Sequence, residues 1–144
     1  MNVNLNLNIE DIGEYLKSHN IKPSYQRIKI YEYLHQNRTH PTVDEIYQVL
    51  VKDIPTLSKT TVYNTLNLFV QESIASLLTI EENETRYDAN TGIHGHFKCV
   101  KCEQVTDFDA DISSISTSVL DHYEVHEQHL YFKGICASCR KLKN

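Results

Sequence analysis

Two Cys-x-x-Cys pairs constrain this chain more than any other feature. Cys99 and Cys102 stand in "CVKC", Cys136 and Cys139 in "CASC", and 33 residues separate the pairs. In a cytosolic chain such matched spacing points to metal rather than to disulfides. Four thiolates suit Zn2+ in a closed tetrahedral site with no room for substrate. The ion would tie the last strand of a small domain to its first. Structural zinc contributes about 10–16 kcal/mol in small peptides, so loss of any one ligand is expected to unfold this half. Four reduced free cysteines and a redox dithiol are the other readings.

The stretch "TGIHGHFKCVKC" (91–102) places His94 and His96 just before the first pair. If residues 94–100 form a strand, alternation turns both histidines to one face and Cys99 to the other. One tetrahedral ion cannot take all three from an uninterrupted strand. The parity therefore predicts two separate sites. Two histidines supply half a site, and Asp88 and Asp107 are the carboxylates nearest in sequence. A mixed nitrogen and oxygen site is one reading, and an exposed His-Gly-His pair is the other.

The 144 residues suit one or two small domains. Net charge is −5, and neither half is basic: residues 1–90 carry 8 Lys+Arg against 12 Asp+Glu, and residues 91–144 carry 6 against 7. Any nucleic-acid contact must then come from a local patch. No apolar run approaches the ~20 residues of a membrane span, and "MNVNLNLNIED" lacks signal-peptide character. A cytoplasmic protein without membrane contact is expected.

Helical spacing marks 9–20, with Ile9, Ile12 and Leu16, and "YQRIKIYEYLHQN", with Ile28, Tyr31 and Leu34, after Pro23-Ser24. "HPTVDEIYQVLVKD" enters a helix through Pro41 and Thr42, with Asp44 and Glu45 in its first turn and Val43, Ile46, Val49 and Leu50 on its apolar face. A further helix covers "SKTTVYNTLNLFVQES", with Ser58 as N-cap. "IASLLTIE" and "ETRYDA" then read as a hairpin turning around "EN". That order predicts a helix-turn-helix followed by a wing. After the loop "YDANTG", with its breakers Asn90 and Gly92, come strands in "HGHFKCV" and "QVTDFDA", a helix in "DISSISTSVLDHY" and a strand in "EVHEQHLYFKGI". The chain thus divides into a winged-helix domain (1–86), a hinge (87–93) and a small α/β domain (94–144), α+β as a whole.

On the fourth helix Val62, Leu66, Phe69 and Val70 share one side, and Thr60, Tyr63, Asn64 and Asn67 the other. That outer stripe is polar, uncharged and suited to base edges or phosphates. Lys59 stands at the helix N-terminus, where backbone N–H groups also favour phosphate. Lys59, Thr60, Thr61, Tyr63 and Asn64 are the candidate DNA contacts, with Tyr63 suited to a thymine methyl. A solvated amphipathic face is the other reading. His19, His35 and His122 read as surface residues, and His126 and His129 lie on the last strand with opposite parity, so they do not pair.

Taken together, "HPTVDEIY", "SKTTVYNTL", "RYD…HGHFKC" and "CVKC…CASC" resemble the Fur superfamily of metal-dependent transcriptional repressors over nearly the whole chain. The resemblance implies a winged-helix domain, a hinge and an α/β dimerisation domain. It also implies a zinc held by the four cysteines and a regulatory metal between the domains. The regulatory ligands would be His40, Asp88, His94, His96 and Asp107. Three imidazoles and two carboxylates fit Fe2+ or Mn2+ better than structural zinc. An ion needing all five would close the domains of a homodimer and fix the spacing of two reading helices on an inverted-repeat operator in double-stranded DNA. Asp107, where iron-uptake regulators usually carry Glu, and Asn64, where they tend to carry Arg, resemble the peroxide-sensing branch. There an iron-bound histidine, corresponding to His40 or His94, is oxidised. A third metal site found in some relatives would need ligands at Ile93 and Gly95, so its absence is expected. An iron-uptake regulator is the alternative within the superfamily. A small non-haem metalloenzyme using His94, His96 and a carboxylate is the alternative from another class.

Overall fold

The computed structural model describes residues 8–37, 39–80, 84–89, 91–92, 94–126 and 128–142. The "EN" turn, Asn90 and Ile93 lie outside the described residues. The chain divides into two compact units, Met1–Thr91 and Gly92–Asn144.

The first unit is built from four helices and a two-stranded sheet: α1 (Ile9–Ser18), α2 (Tyr25–Gln36), α3 (Val43–Leu50), α4 (Lys59–Gln71), β1 (Ser76–Leu78) and β2 (Arg86–Asp88). Each helix begins on a side-chain cap that absorbs an orphan backbone N–H. Asn8 and Thr42 form capping boxes with Asp11 and Glu45, while Ser24 and Ser58 accept from the amides of Arg27 and Thr61. The helices close over one core in which Leu16, Ile30, Ile46, Leu66 and Phe69 are wholly buried. Burying each of these side chains stabilises the unit by roughly 1.5–3 kcal/mol. Two residues expected on apolar faces are instead exposed, Ile9 and Val49. Ile9 is the first residue of α1, one turn before the buried Ile12. The pairing of β1 with β2 is antiparallel and matches Ser76 with Asp88 and Leu78 with Arg86. Tyr87 and Asp88 are therefore strand residues of the first unit.

The second unit contains β3 (His94–Cys99), β4 (Val105–Asp109), a 3-10 turn at Ser118–Leu120, β5 (Tyr131–Gly134) and α5 (Ala137–Lys141). The sheet order is β4-β3-β5, with β4 antiparallel and β5 parallel to the central β3. The expected helix over "DISSISTSVLDHY" is not formed beyond that one 3-10 turn. The Ser113 amide bonds to Asp111 Oδ1 at 2.9 Å instead of continuing a helix. This is the local competition by which Asp and Ser oppose helix interiors. The last strand is also shorter than expected, so His126 and His129 lie in the segment before it. Two histidines expected at the surface are half-buried: His19 packs on Tyr15 and His35 stacks on Tyr31.

Candidate metal centres

The four cysteines converge within the second unit. Cys99 ends β3, Cys102 follows the tight turn after it, Cys136 caps α5, and Cys139 lies inside α5. Their sulfur atoms all lie within 4.8 Å of one another, and Cys102 Sγ is 3.8 Å from Cys136 Sγ. A disulfide needs about 2.05 Å. Sulfurs at the corners of a tetrahedron with Zn–S of about 2.3 Å stand about 3.8 Å apart. The spacing therefore fits four thiolates around one ion. Backbone N–H groups point at the sulfurs as well. The amides of Cys102 and Cys136 lie 3.5 and 3.4 Å from Cys99 Sγ, and the Cys139 amide lies 3.5 Å from Cys136 Sγ. The first two pull the buried Cys99 thiol down to about 6, while the side chain of Cys136, then burial, push Cys139 up to about 12. Sulfurs this close repel one another when ionised, and a bound cation would offset that repulsion.

On β3 the strand parity separates the histidines from Cys99. The His94 and His96 rings are neighbours, with centroids 4.3 Å apart. The antiparallel register sets His96 opposite Asp107. Asp107 Oδ1 lies 3.2 Å from His96 Nε2 and 3.8 Å from His94 Nε2. His94 Nδ1 donates to the Gly92 carbonyl at 2.8 Å. A carbonyl only accepts, so Nδ1 is the donor and Nε2 is the ring nitrogen that faces Asp107. A backbone partner of this kind fixes the ring from behind.

A second histidine–carboxylate pair belongs to the first unit. His40 Nε2 lies 3.5 Å from Asp88 Oδ2, with both side chains almost fully buried. Ligands 90–120° apart on an ion at about 2.1 Å stand ~3.0–3.7 Å from each other. The separations in both pairs match that range or come just outside it, and exceed the 2.7–2.9 Å typical of a charge-assisted hydrogen bond. The donor chemistry of each pair thus fits a divalent cation that accepts nitrogen and oxygen.

On α4, Thr60, Tyr63 and Asn64 are exposed, with Tyr63 at 52%. Thr61 differs: it is half-buried and its hydroxyl lies 2.9 Å from the capping Ser58 hydroxyl. Lys59 is not a free cation either. Its Nζ pairs with the Asp44 carboxylate of α3 and lies 5.6 Å from the Tyr47 ring centre. Sequence reasoning placed Asp44 only in a helix first turn and Arg86 only within "RYD"; it missed that Asp44 pairs with Lys59 and that Arg86 Nη1 donates to the His40 carbonyl at 3.1 Å. The only available signal for Arg86 was its place two residues before Asp88. A cavity of about 440 Å3 lies between the start of α2 and α4, lined by Lys22, Ser24, Arg27 and Asn64 among others.

The Ferric uptake regulator family model matches residues 18–133. A peroxide-responsive repressor PerR from Staphylococcus aureus (strain Mu50 / ATCC 700699) is 34% identical over 136 residues, covering 92% of this chain and 91% of that protein. The structure of PerR from Streptococcus pyogenes, solved for peroxide sensing and gene regulation, is 32% identical with a TM-score of 0.52, over 91% of this chain and 92% of that one. The ferric uptake regulator of Vibrio cholerae is 26% identical with a TM-score of 0.69, over 86% and 98%. Among the described residues no helix is long and apolar enough to cross a membrane. The chain belongs to the Fur family of metal-dependent transcriptional regulators, DNA-binding proteins rather than enzymes.

Proposed function

We propose that this protein is a peroxide-sensing repressor that binds an inverted-repeat DNA operator as a homodimer when its regulatory metal is in place. The observation that carries the reading is the pair of histidine–carboxylate clusters, His40–Asp88 and His94–His96–Asp107, chemically distinct from the thiolate cluster. Two further features support it: the similarity to curated peroxide-responsive repressors, and an Asp rather than a Glu at position 107.

In this reading Zn2+ belongs to Cys99, Cys102, Cys136 and Cys139. One Fe2+ or Mn2+ takes ligands from His40, Asp88, His94, His96 and Asp107. His40 and Asp88 come from the reading unit and the other three from the pairing unit, so ligation couples the two. Metal and DNA then favour each other reciprocally, by ~1–3 kcal/mol in typical coupled systems. The described exposed face of α4, with Thr60, Tyr63 and Asn64, reads the major groove.

Iron(II), when bound, would catalyse oxidation by hydrogen peroxide beside its own ligands; manganese(II) would support binding without that reaction. The imidazole of His40 or His94 would be the two-electron reductant: the peroxide O–O bond breaks, one oxygen enters a ring C–H bond and the other leaves as water. The oxidised ring is a poor donor, the ligand set is broken and DNA is released. Iron-loaded protein exposed to low peroxide should show one added oxygen on peptides containing His40 or His94, and manganese-loaded protein should not. Oxidation confined to Met1 and the cysteines would count against sensing.

An iron-uptake regulator is the second reading. It is favoured by the Vibrio cholerae ferric uptake regulator, whose TM-score of 0.69 exceeds the 0.52 of the Streptococcus pyogenes PerR. In that case peroxide leaves iron-dependent operator binding intact.

A further inference from the structure

We propose that Arg86 is a positioning residue for the metal site: its guanidinium clamps the His40–Pro41 turn in the backbone conformation that holds the His40 imidazole beside Asp88. The inference rests on the reading above that His40 is a ligand.

His40 has φ 58, in the left-handed region. Non-glycine residues seldom occupy it, because Cβ crowds the following carbonyl. The next residue is Pro41, whose ring further restricts the backbone before it. A histidine there stays only if its surroundings hold it. Two contacts from β2 do so. Arg86 Nη1 donates to the His40 carbonyl at 3.1 Å, and the Tyr87 amide donates to the Pro41 carbonyl at 3.0 Å as part of an isolated antiparallel bridge between Thr42 and Arg86.

Strand parity explains why one short strand can do this. Arg86 and Asp88 are two residues apart and share a face of β2, while Tyr87 points the other way into the core, 1% exposed. The strand therefore contributes one ligand, Asp88, and with the side chain two residues earlier holds the backbone of another. Of the two, only the Arg86 bond comes from a side chain, so it is the one that substitution can remove.

The sign of the effect separates positioning from simple charge. Removing a cation near a divalent-metal site should tighten metal binding by reducing repulsion. Removing a support that orients a ligand typically weakens affinity 10- to 100-fold. The experiment measures Mn2+ affinity by electron paramagnetic resonance on full-length, zinc-loaded protein for wild type, R86A, R86K, R86Q, H40A and the double variant R86A/H40A. R86A should bind Mn2+ at least about tenfold more weakly, with zinc content unchanged. R86K and R86Q, which keep a donor for the His40 carbonyl, should recover part of the loss; they also carry the test if R86A fails to fold. The double variant should be no weaker than H40A, because Arg86 acts through His40. Unchanged or tighter binding in R86A and R86Q, or losses that add in the double variant, would overturn the proposal. If H40A itself binds Mn2+ like wild type, the assignment of His40 as a ligand fails, separately from the role of Arg86.

Discussion

Gly95 stands between His94 and His96 on β3, in register with Phe108 of β4. A methyl group at position 95 would lie 2.7 Å from Phe108 Cε1 and closer still to Cε2 and Cζ. Gly95 does not have a positive φ, so backbone strain plays no part and Gly95→Ala is a steric test. The ring must swing off the sheet. Phe108 is half-buried and stacked on Phe132 with centroids 5.2 Å apart. Full burial of a Phe is worth ~1.5–3 kcal/mol, so half of it is worth ~0.8–1.5, and a stacked pair adds ~0.5–1.5. Replacing a strand glycine otherwise gains ~0.4–1 kcal/mol through the unfolded chain. The net expectation is a loss of about 1–2 kcal/mol, within the range for overpacked sites. In a Phe108→Ala background the clash is gone and Gly95→Ala should be neutral or slightly stabilising. Hydrogen exchange of β3 and β4 amides in zinc-loaded protein measures both arms of this cycle. If Gly95→Ala costs the same with and without the Phe108 ring, or costs nothing in either background, the packing argument is refuted.

Asp44→Asn should strengthen DNA binding and steepen its salt dependence. It frees Lys59 from its carboxylate partner, and each added phosphate contact contributes about 0.9 to the slope of log K against log salt. In the unmutated protein Lys59 holds the Asp44 carboxyl below its usual range. The pair therefore persists above the ordinary carboxylate pKa and is lost only as pH falls through the depressed value, and Lys59 becomes free on that side. A salt titration of operator affinity that gives the same slope for both proteins would show that Lys59 does not reach phosphate. Cys136→Ser should lose zinc in native mass spectrometry and unfold the second unit, while the helices of the first unit, which share no ligand with it, keep their circular dichroism. Retention of stoichiometric zinc would remove Cys136 from the site.

Where local chemistry decides the structure, the sequence made it legible. Ser58 and the Thr42–Glu45 box start helices because a side-chain oxygen must meet an orphan N–H, and that rule acts over three residues. Alternation along β3 put His94 and His96 on one face for the same local reason. What was hidden depends on distant partners. Arg86 meets the His40 carbonyl across 46 residues of sequence, and Lys59 meets Asp44 only because α3 and α4 pack together. The serine-rich segment after Asp111 has a faint helical period, but its side chains compete with the helix and its faces are exposed. The short α5 carries too little apolar pattern to register, although its cap, Cys136, was visible as part of a Cys-x-x-Cys pair.

The central claim is that one cation draws ligands from both units. Mn2+ titration of zinc-loaded protein, comparing wild type with His40→Ala and His96→Ala, tests it most directly. The account predicts a single Mn2+ site per chain that either substitution weakens severely, with zinc retained in both. Two independent sites, or full Mn2+ affinity surviving in His40→Ala, would contradict it.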